Sequence, residues 1–333
     1  MANLPLVAPA VTSSWKQILR SNVRTVEQLC QLLELDQQQR DCLLEQPKFP
    51  LNIPRRLVDK MAKGSIDDPL FKQFVPLRQE REKLPGYSPD PLTERGSCRK
   101  GSKLLHKYFG RALLVATGAC AVHCRYCFRQ HFDYGEEAGF EEELAQLHQD
   151  SSIEEVILSG GDPLSLSERP LGTLLEAIGS IPHVRRIRFH TRFPVGIPER
   201  IDDLLCQQLY RLRQRVIFVF HINHPREIDE DHFRHFGMLL DQGVLLLNQA
   251  VLLRGINDTG ELLKELCLKL IDGGVLPYYL HQLDRVEGAA HFEVPIGKGK
   301  ELMRWLATQL PGYALPRYMQ EVPGELHKIT LLP

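Results

Sequence analysis

The sequence predicts an α/β fold, an open, partial (βα)6 TIM-like barrel preceded by an N-terminal helical extension. Two observations predict the barrel. From Ala112 onward, six short apolar runs recur at strand length: 112–117, 156–159, 187–190, 216–220, 244–251 and 275–280. Between them lie stretches with helical apolar spacing, so strand and helix alternate, and such units imply parallel strands buried under helices. Six strands suit an open barrel, whereas eight would be crowded in this length. A doubly wound sheet is the other arrangement that the alternation allows. A third observation predicts the extension: residues 1–100 lack the alternation.

In the first hundred residues, TVEQLCQLLEL from Thr25 has helical spacing, with Thr25 and Gln28 placed as a capping box. FPLNIPRRLVDKMAKG predicts a second helix, opened near Pro54 and stopped by Gly64. The stretch 67–96 is hydrophilic, and its prolines at 76, 85, 89 and 91 predict a connection without regular elements. This region is expected to wrap the main domain. In the barrel, helices are expected in EEELAQLHQ, around LGTLLEAIG, and in PERIDDLLCQQLYRLR, EIDEDHFRHFGMLLDQG and TGELLKELCLKLIDGG. KGKELMRWLATQLPG adds a further helix, and a short apolar stretch follows Lys328. The expected organisation is a wrapping region over 1–100, the barrel over 101–290 and a C-terminal segment over 291–333.

Lys plus Arg total 41 against 42 Asp plus Glu, with no long basic run, so bulk charge does not suggest a nucleic-acid partner. No apolar run reaches the roughly 18 residues that span a bilayer. The first residues lack the order of a secretory signal, and a cytoplasmic protein is expected.

Of eight cysteines, Cys30, Cys42, Cys98, Cys206 and Cys267 are scattered and are expected to be buried small residues or incidental thiols. Cys120, Cys124 and Cys127 form a C-x3-C-x2-C string, CAVHCRYC, just after the first barrel strand. Sites collect at that edge of such folds. Three thiolates can ligate three irons of a four-iron cluster and leave the fourth open. A closed structural zinc site wants four ligands; His123 is a candidate, but it sits between two of the cysteines, and no second Cys pair follows.

The string resembles the signature of the radical S-adenosylmethionine (SAM) superfamily, whose fold is a partial barrel of this kind. The resemblance implies a [4Fe-4S] cluster whose open iron is chelated by SAM, and an external electron donor. Ser159, Gly160, Gly161 and Asp162, alone a tight turn, resemble the superfamily's glycine-rich segment. The glycines would permit close backbone approach to the methionyl group. Asp162 would either contact its ammonium or cap the following helix.

From Ala112 to Lys328 the chain is similar to the lysine 2,3-aminomutase family. The similarity rests on CRYCFRQ (124–130), SGGDPL (159–164), HTRFPV (190–195), LLNQAVLLRGIND (246–258), PYYLHQLD (277–284), HFEVPIGKG (291–299) and PGELHK (323–328). The resemblance implies that Lys328 carries pyridoxal 5′-phosphate (PLP) as a Schiff base. Glu325, Leu326 and His327 stand where the family has glycines. Lys107 and Arg111 fall where basic residues lie near that cofactor. Arg129 coincides with the arginine that grips the substrate carboxylate. Asp284 and Glu321 fall on the pair that meets the distal ammonium of L-lysine, with Glu321 in place of an aspartate.

WKQILRSNVRTVEQLCQLLEL, FPLNIPRRLVDKMAKGSIDDPLFKQFVPL and PGYSPDPLTERG resemble the branch that makes (R)-β-lysine from (S)-α-lysine for elongation factor P, where a separate ligase attaches it. An aminomutase for an acidic amino acid is disfavoured by Asp284 and Glu321, which repel a distal carboxylate. A non-enzymatic iron–sulfur scaffold is disfavoured because all three cysteines and Lys328 are present. A radical SAM enzyme without PLP is the narrower alternative.

Overall fold

The computed structural model describes residues 14–96, 99, 103–135 and 139–332. The first thirteen residues and Cys98, for which expectations were stated, lie outside the described residues.

Five short helices precede the sheet: α1 (Trp15–Arg20), α2 (Val26–Leu33), α3 (Gln37–Asp41), α4 (Arg55–Asp59) and α5 (Pro69–Phe74). Thr25 Oγ1 accepts from Gln28 N and caps α2 as expected. The helix expected from Pro54 ends at Asp59, five residues before Gly64. The stretch 67–96 departs from expectation, for it contains α5 and a 3-10 turn at Arg78–Arg81. Asp68 caps α5 by accepting from Leu70 N and Phe71 N, and Pro69 opens it. Leu70, Phe71 and Phe74 then bury one face.

Nine strands follow: β1 (Leu104–Tyr108), β2 (Arg111–Thr117), β3 (Glu155–Gly160), β4 (Arg186–Thr191), β5 (Arg215–Phe220), β6 (Leu245–Val251), β7 (Leu276–His281), β8 (Arg317–Gln320) and β9 (Ile329–Thr330). They lie side by side in chain order. β2 through β8 run parallel, and β1 and β9 pair antiparallel at the two edges. A sequential order without reversal is that of a singly wound, open barrel and excludes the doubly wound sheet. All six expected strand–helix units are present. Their helices are α6 (Glu141–Gln149), α7 (Glu168–Gly179), α9 (Asp203–Tyr210), α10 (Glu230–Asp241), α11 (Gly260–Asp272) and α12 (Ile296–Ala307), with a one-turn α8 (Phe193–Gly196) after β4. β1, β8 and β9 extend this unit beyond expectation.

One apolar core runs from Trp15, Leu29 and Phe74 in the extension to Phe189, Phe218 and Leu246 in the barrel. Trp15 packs edge-on against Phe193 at 5.6 Å and donates through Nε1 to Glu168. Arg56 pairs with Glu199 and Asp231 across the same seam. Among the described residues, no helix is long and apolar enough to cross a membrane.

Candidate active site

A cavity of about 620 Å³ runs from the loops at the C-terminal ends of the parallel strands into the barrel interior. Apart from His123, its wall includes the site residues expected from the sequence: Lys107, Arg111, Cys120, Cys124, Cys127, Arg129, Ser159, Gly160, Gly161, Asp162, Asp284, Glu321 and Lys328. Positions as far apart in the chain as Lys107 and Lys328 thus face one space.

The three cysteines sit in the loop after β2 as free thiols. The N-terminal extension holds this loop. Asn52 Nδ2 donates to Cys120 O at 3.0 Å and Ala121 O at 3.2 Å, and Asn22 Nδ2 donates to Ala121 O at 2.7 Å. Arg125 N donates to Gln73 O, and its guanidinium is buried against Glu80. His123 is turned away to the extension, stacked on Phe49 at 4.4 Å with Nδ1 2.8 Å from Pro50 O.

Burial pushes the Cys127 thiol up to about 12, reinforced by Cys124, and raises the Cys120 and Cys124 thiols as well. Three desolvated thiols crowded into one wall want a cationic partner to stabilise their thiolates. Among the described residues, no three His, Cys, Asp or Glu side chains gather tightly enough for a single metal ion. With His123 turned to the extension, the string offers three thiols, the number that suits an iron–sulfur cluster with one open iron and one short of a closed zinc site.

The segment after β3 packs directly beneath this loop. Gly160 has φ +114°, and a Cβ on it would stand 2.6 Å from Thr117 O. A Cβ on Gly161 would stand 2.4 Å from Ala119 O. The glycines therefore let two loops touch, with Gly161 N donating to Thr117 O and Asp162 N to Ala119 O. The Asp162 carboxylate accepts from Leu164 N, Thr191 Oγ1, Arg192 N and Phe193 N. Four donors fill its acceptor sites, so of the two expected roles the structure favours capping. Burial still raises its carboxyl to about 6, against those hydrogen bonds.

Arg129 is buried and already gripped. Its Nε and Nη2 each donate to Glu94 at 2.8 Å in a parallel fork, and Nη1 donates to Ser159 Oγ at 3.0 Å. Among the described residues, three of its five N–H groups are used, which leaves two for a further anion.

Glu321 lies just past β8, between two lysines. Its Oε1 is 2.7 Å from Lys107 Nζ and its Oε2 is 3.0 Å from Lys328 Nζ. Burial works against its charge, but Lys328 and Lys107 overcome burial and lower the carboxyl to about 2. Among the described residues, Asp284 has no such contact. Burial first, and Glu321 second, push its carboxyl up to about 7, with Lys328 and Lys107 opposing.

Arg111 lies over the Tyr108 ring at 4.8 Å. Arg188 and Arg317 also line the cavity, and Arg188 Nε is buried without a hydrogen-bond partner among the described residues. An orphaned guanidinium donor beside other cations, in the space that Lys328 enters, fits a phosphate group.

Sequence reasoning missed Glu94, Arg188 and three cavity histidines. His190 is the penultimate residue of β4, His221 follows β5 and His281 ends β7. Burial foremost drives all three pKa values down, His221 to about 3, so they are neutral. His190 and His281 stand inside quoted motifs, and their place at the C-terminal end of a barrel strand was the available signal.

Residues 110–187 match a 4Fe-4S single cluster domain. The chain is 40% identical over 337 residues to an L-lysine 2,3-aminomutase of Escherichia coli, covering 99% of this chain and 98% of that protein. It is 40% identical to the Haemophilus influenzae L-lysine 2,3-aminomutase, covering 95% and 94%. It is 32% identical to the Clostridium subterminale L-lysine 2,3-aminomutase, covering 98% of this chain and 80% of that one.

Proposed function

We propose that this chain, which belongs to the L-lysine 2,3-aminomutase family, is a radical SAM isomerase that converts (S)-α-lysine to (R)-β-lysine with the help of PLP. One observation carries the proposal: a single cavity gathers the three thiols, the Lys328 amine, the buried Arg129 guanidinium and the carboxylates of Asp284 and Glu321. When bound, the cluster and SAM supply one electron and a carbon radical, and PLP supplies a π system for the migrating nitrogen.

The chain's residues have separable tasks. Cys120, Cys124 and Cys127 would hold the four-iron cluster. Ser159, Gly160, Gly161 and Asp162 shape the floor on which SAM rests. Lys328 anchors PLP through its amine. Arg111, with Arg188, faces the phosphate. Arg129 offers its two remaining N–H groups to the substrate carboxylate. Asp284 and Glu321 take the distal ammonium, which makes lysine a better fit than an acidic amino acid. Glu94 and Ser159 fix the guanidinium so that the carboxylate has one seat.

The organisation proposed with this reading is a wrapping region over 1–100, a barrel over 101–290, and a segment over 291–333 that carries Lys328 while lending β8 and β9 to the sheet. The N-terminal segments that resemble the elongation factor P branch support a cytoplasmic role. There an external donor supplies the electron, and a ligase attaches the product to elongation factor P.

The test is anaerobic reconstitution with iron and sulfide, followed by SAM, PLP, dithionite and L-lysine, with chiral chromatography and mass detection. (R)-β-lysine is expected, and the product should be loaded onto elongation factor P when factor and ligase are added. The opposite enantiomer would overturn the pathway assignment. Turnover without PLP would overturn the PLP requirement.

A further inference from the structure

The resemblance places Lys107, with Arg111, near the PLP cofactor. In the structure its ammonium meets a carboxylate. Its Nζ lies 2.7 Å from Glu321 Oε1, while Lys328 Nζ lies 3.0 Å from Oε2. The three side chains are largely buried, with 18%, 14% and 27% of Lys107, Glu321 and Lys328 exposed. One carboxylate therefore carries two ammonium groups, one on each oxygen.

The two ammonium groups have different fates. On the proposed reading, the Lys328 amine is consumed in anchoring PLP, so its full positive charge is lost from Oε2. Lys107 has no such reaction and stays on Oε1. We propose that Lys107 is a specificity-determining residue, the fixed counter-ion of Glu321, and that the substrate's distal ammonium takes the Oε2 position that Lys328 gives up. This rests on the reading that Asp284 and Glu321 receive that ammonium.

Charge counting supports the exchange. Ionised Asp284 and Glu321 carry two negative charges, and Lys107 supplies one positive charge. One more cation balances the group: Lys328 before the cofactor is anchored, and afterwards the substrate ammonium, since exchange with the substrate's α-amine returns Lys328 as a neutral amine. A neutral side chain of the same length would leave an unbalanced buried carboxylate, and an acidic one would add a third negative charge. The site thus selects a singly charged cationic side chain by balance as well as by contact.

The experiment compares wild type with Lys107→Met, Lys107→Gln and Lys107→Arg in the reconstituted enzyme. PLP affinity is read from the absorbance of the lysine-bound cofactor and from borohydride trapping, and kcat and KM are measured with L-lysine. In both neutral variants the PLP dissociation constant should stay within about twofold, while KM for L-lysine rises about tenfold or more. Lys107→Arg should bring KM back to within about threefold of wild type. A tenfold loss of PLP affinity with unchanged KM would make Lys107 a phosphate contact and overturn the inference. Unchanged values for both quantities in Lys107→Gln would overturn it too. A wild-type protein that neither binds PLP nor converts lysine would instead reject the functional reading beneath it.

Discussion

Raising the pH from 6 to 8 is predicted to strengthen L-lysine binding through Asp284. Burial, and the nearby Glu321 carboxylate after it, lift this carboxyl from an ordinary 3.8 to about 7. An acid with a raised pKa keeps its proton below that value, so at pH 6 about one tenth of Asp284 is ionised, and at pH 8 about nine tenths. Only the ionised form attracts an ammonium, so the distal contact should gain close to tenfold across that interval. The dissociation constant is followed by the cofactor's absorbance change, in parallel with L-norleucine. Norleucine has the same α-amino titration but no distal ammonium, so the ratio of the two constants isolates Asp284. Asp284→Asn should flatten the ratio and weaken lysine binding at pH 8. The same substitution should raise the stability of the ligand-free protein at pH 8. A group whose folded pKa is raised above its unfolded value loses stability as pH climbs between the two. A flat ratio in wild type, or one that persists in Asp284→Asn, would refute the reasoning.

Three further outcomes follow from the geometry. Glu94→Ala strands the buried Arg129 guanidinium and should cost about 3–5 kcal/mol, read as a lower thermal midpoint together with a higher KM for lysine. Unaltered stability would show that the fork is dispensable. Gly160→Ala puts a Cβ 2.6 Å from Thr117 O at a positive φ and should strain the cysteine loop by about 1–3 kcal/mol, measured as iron lost on anaerobic gel filtration. Full iron retention would contradict the packing argument. Asn52→Leu removes the donors to Cys120 O and Ala121 O, and should lower iron content without dissolving the fold, as judged by circular dichroism.

The barrel was legible because its six central strands announce themselves as apolar runs, with β3 buried along its whole length and the others in part. β1 and β8 were not, since LLHKY and RYMQ place charged or polar side chains toward the cavity and break the run. α5 was hidden because nearby prolines suggested a breaker, although Pro69 beside Asp68 is a helix start. In the site, the cysteine spacing is a local pattern and could be read along the chain. Glu94 could not, for its partner lies 35 residues away and only folding brings its carboxylate against Arg129. The attachment of Lys107 to Glu321 spans 214 residues and is equally invisible in one dimension. Asp162 shows a third limit: its residue type and motif allowed two roles, and only its four donors decided between them.

The most direct test of the central claim is the fate of L-lysine in the anaerobically reconstituted protein, followed by chiral chromatography with mass detection. SAM-dependent formation of (R)-β-lysine in wild type, absent from Cys127→Ala and from Lys328→Ala, is the predicted result. No β-lysine from a protein that holds both its cluster and PLP would contradict it, as would undiminished β-lysine in either variant.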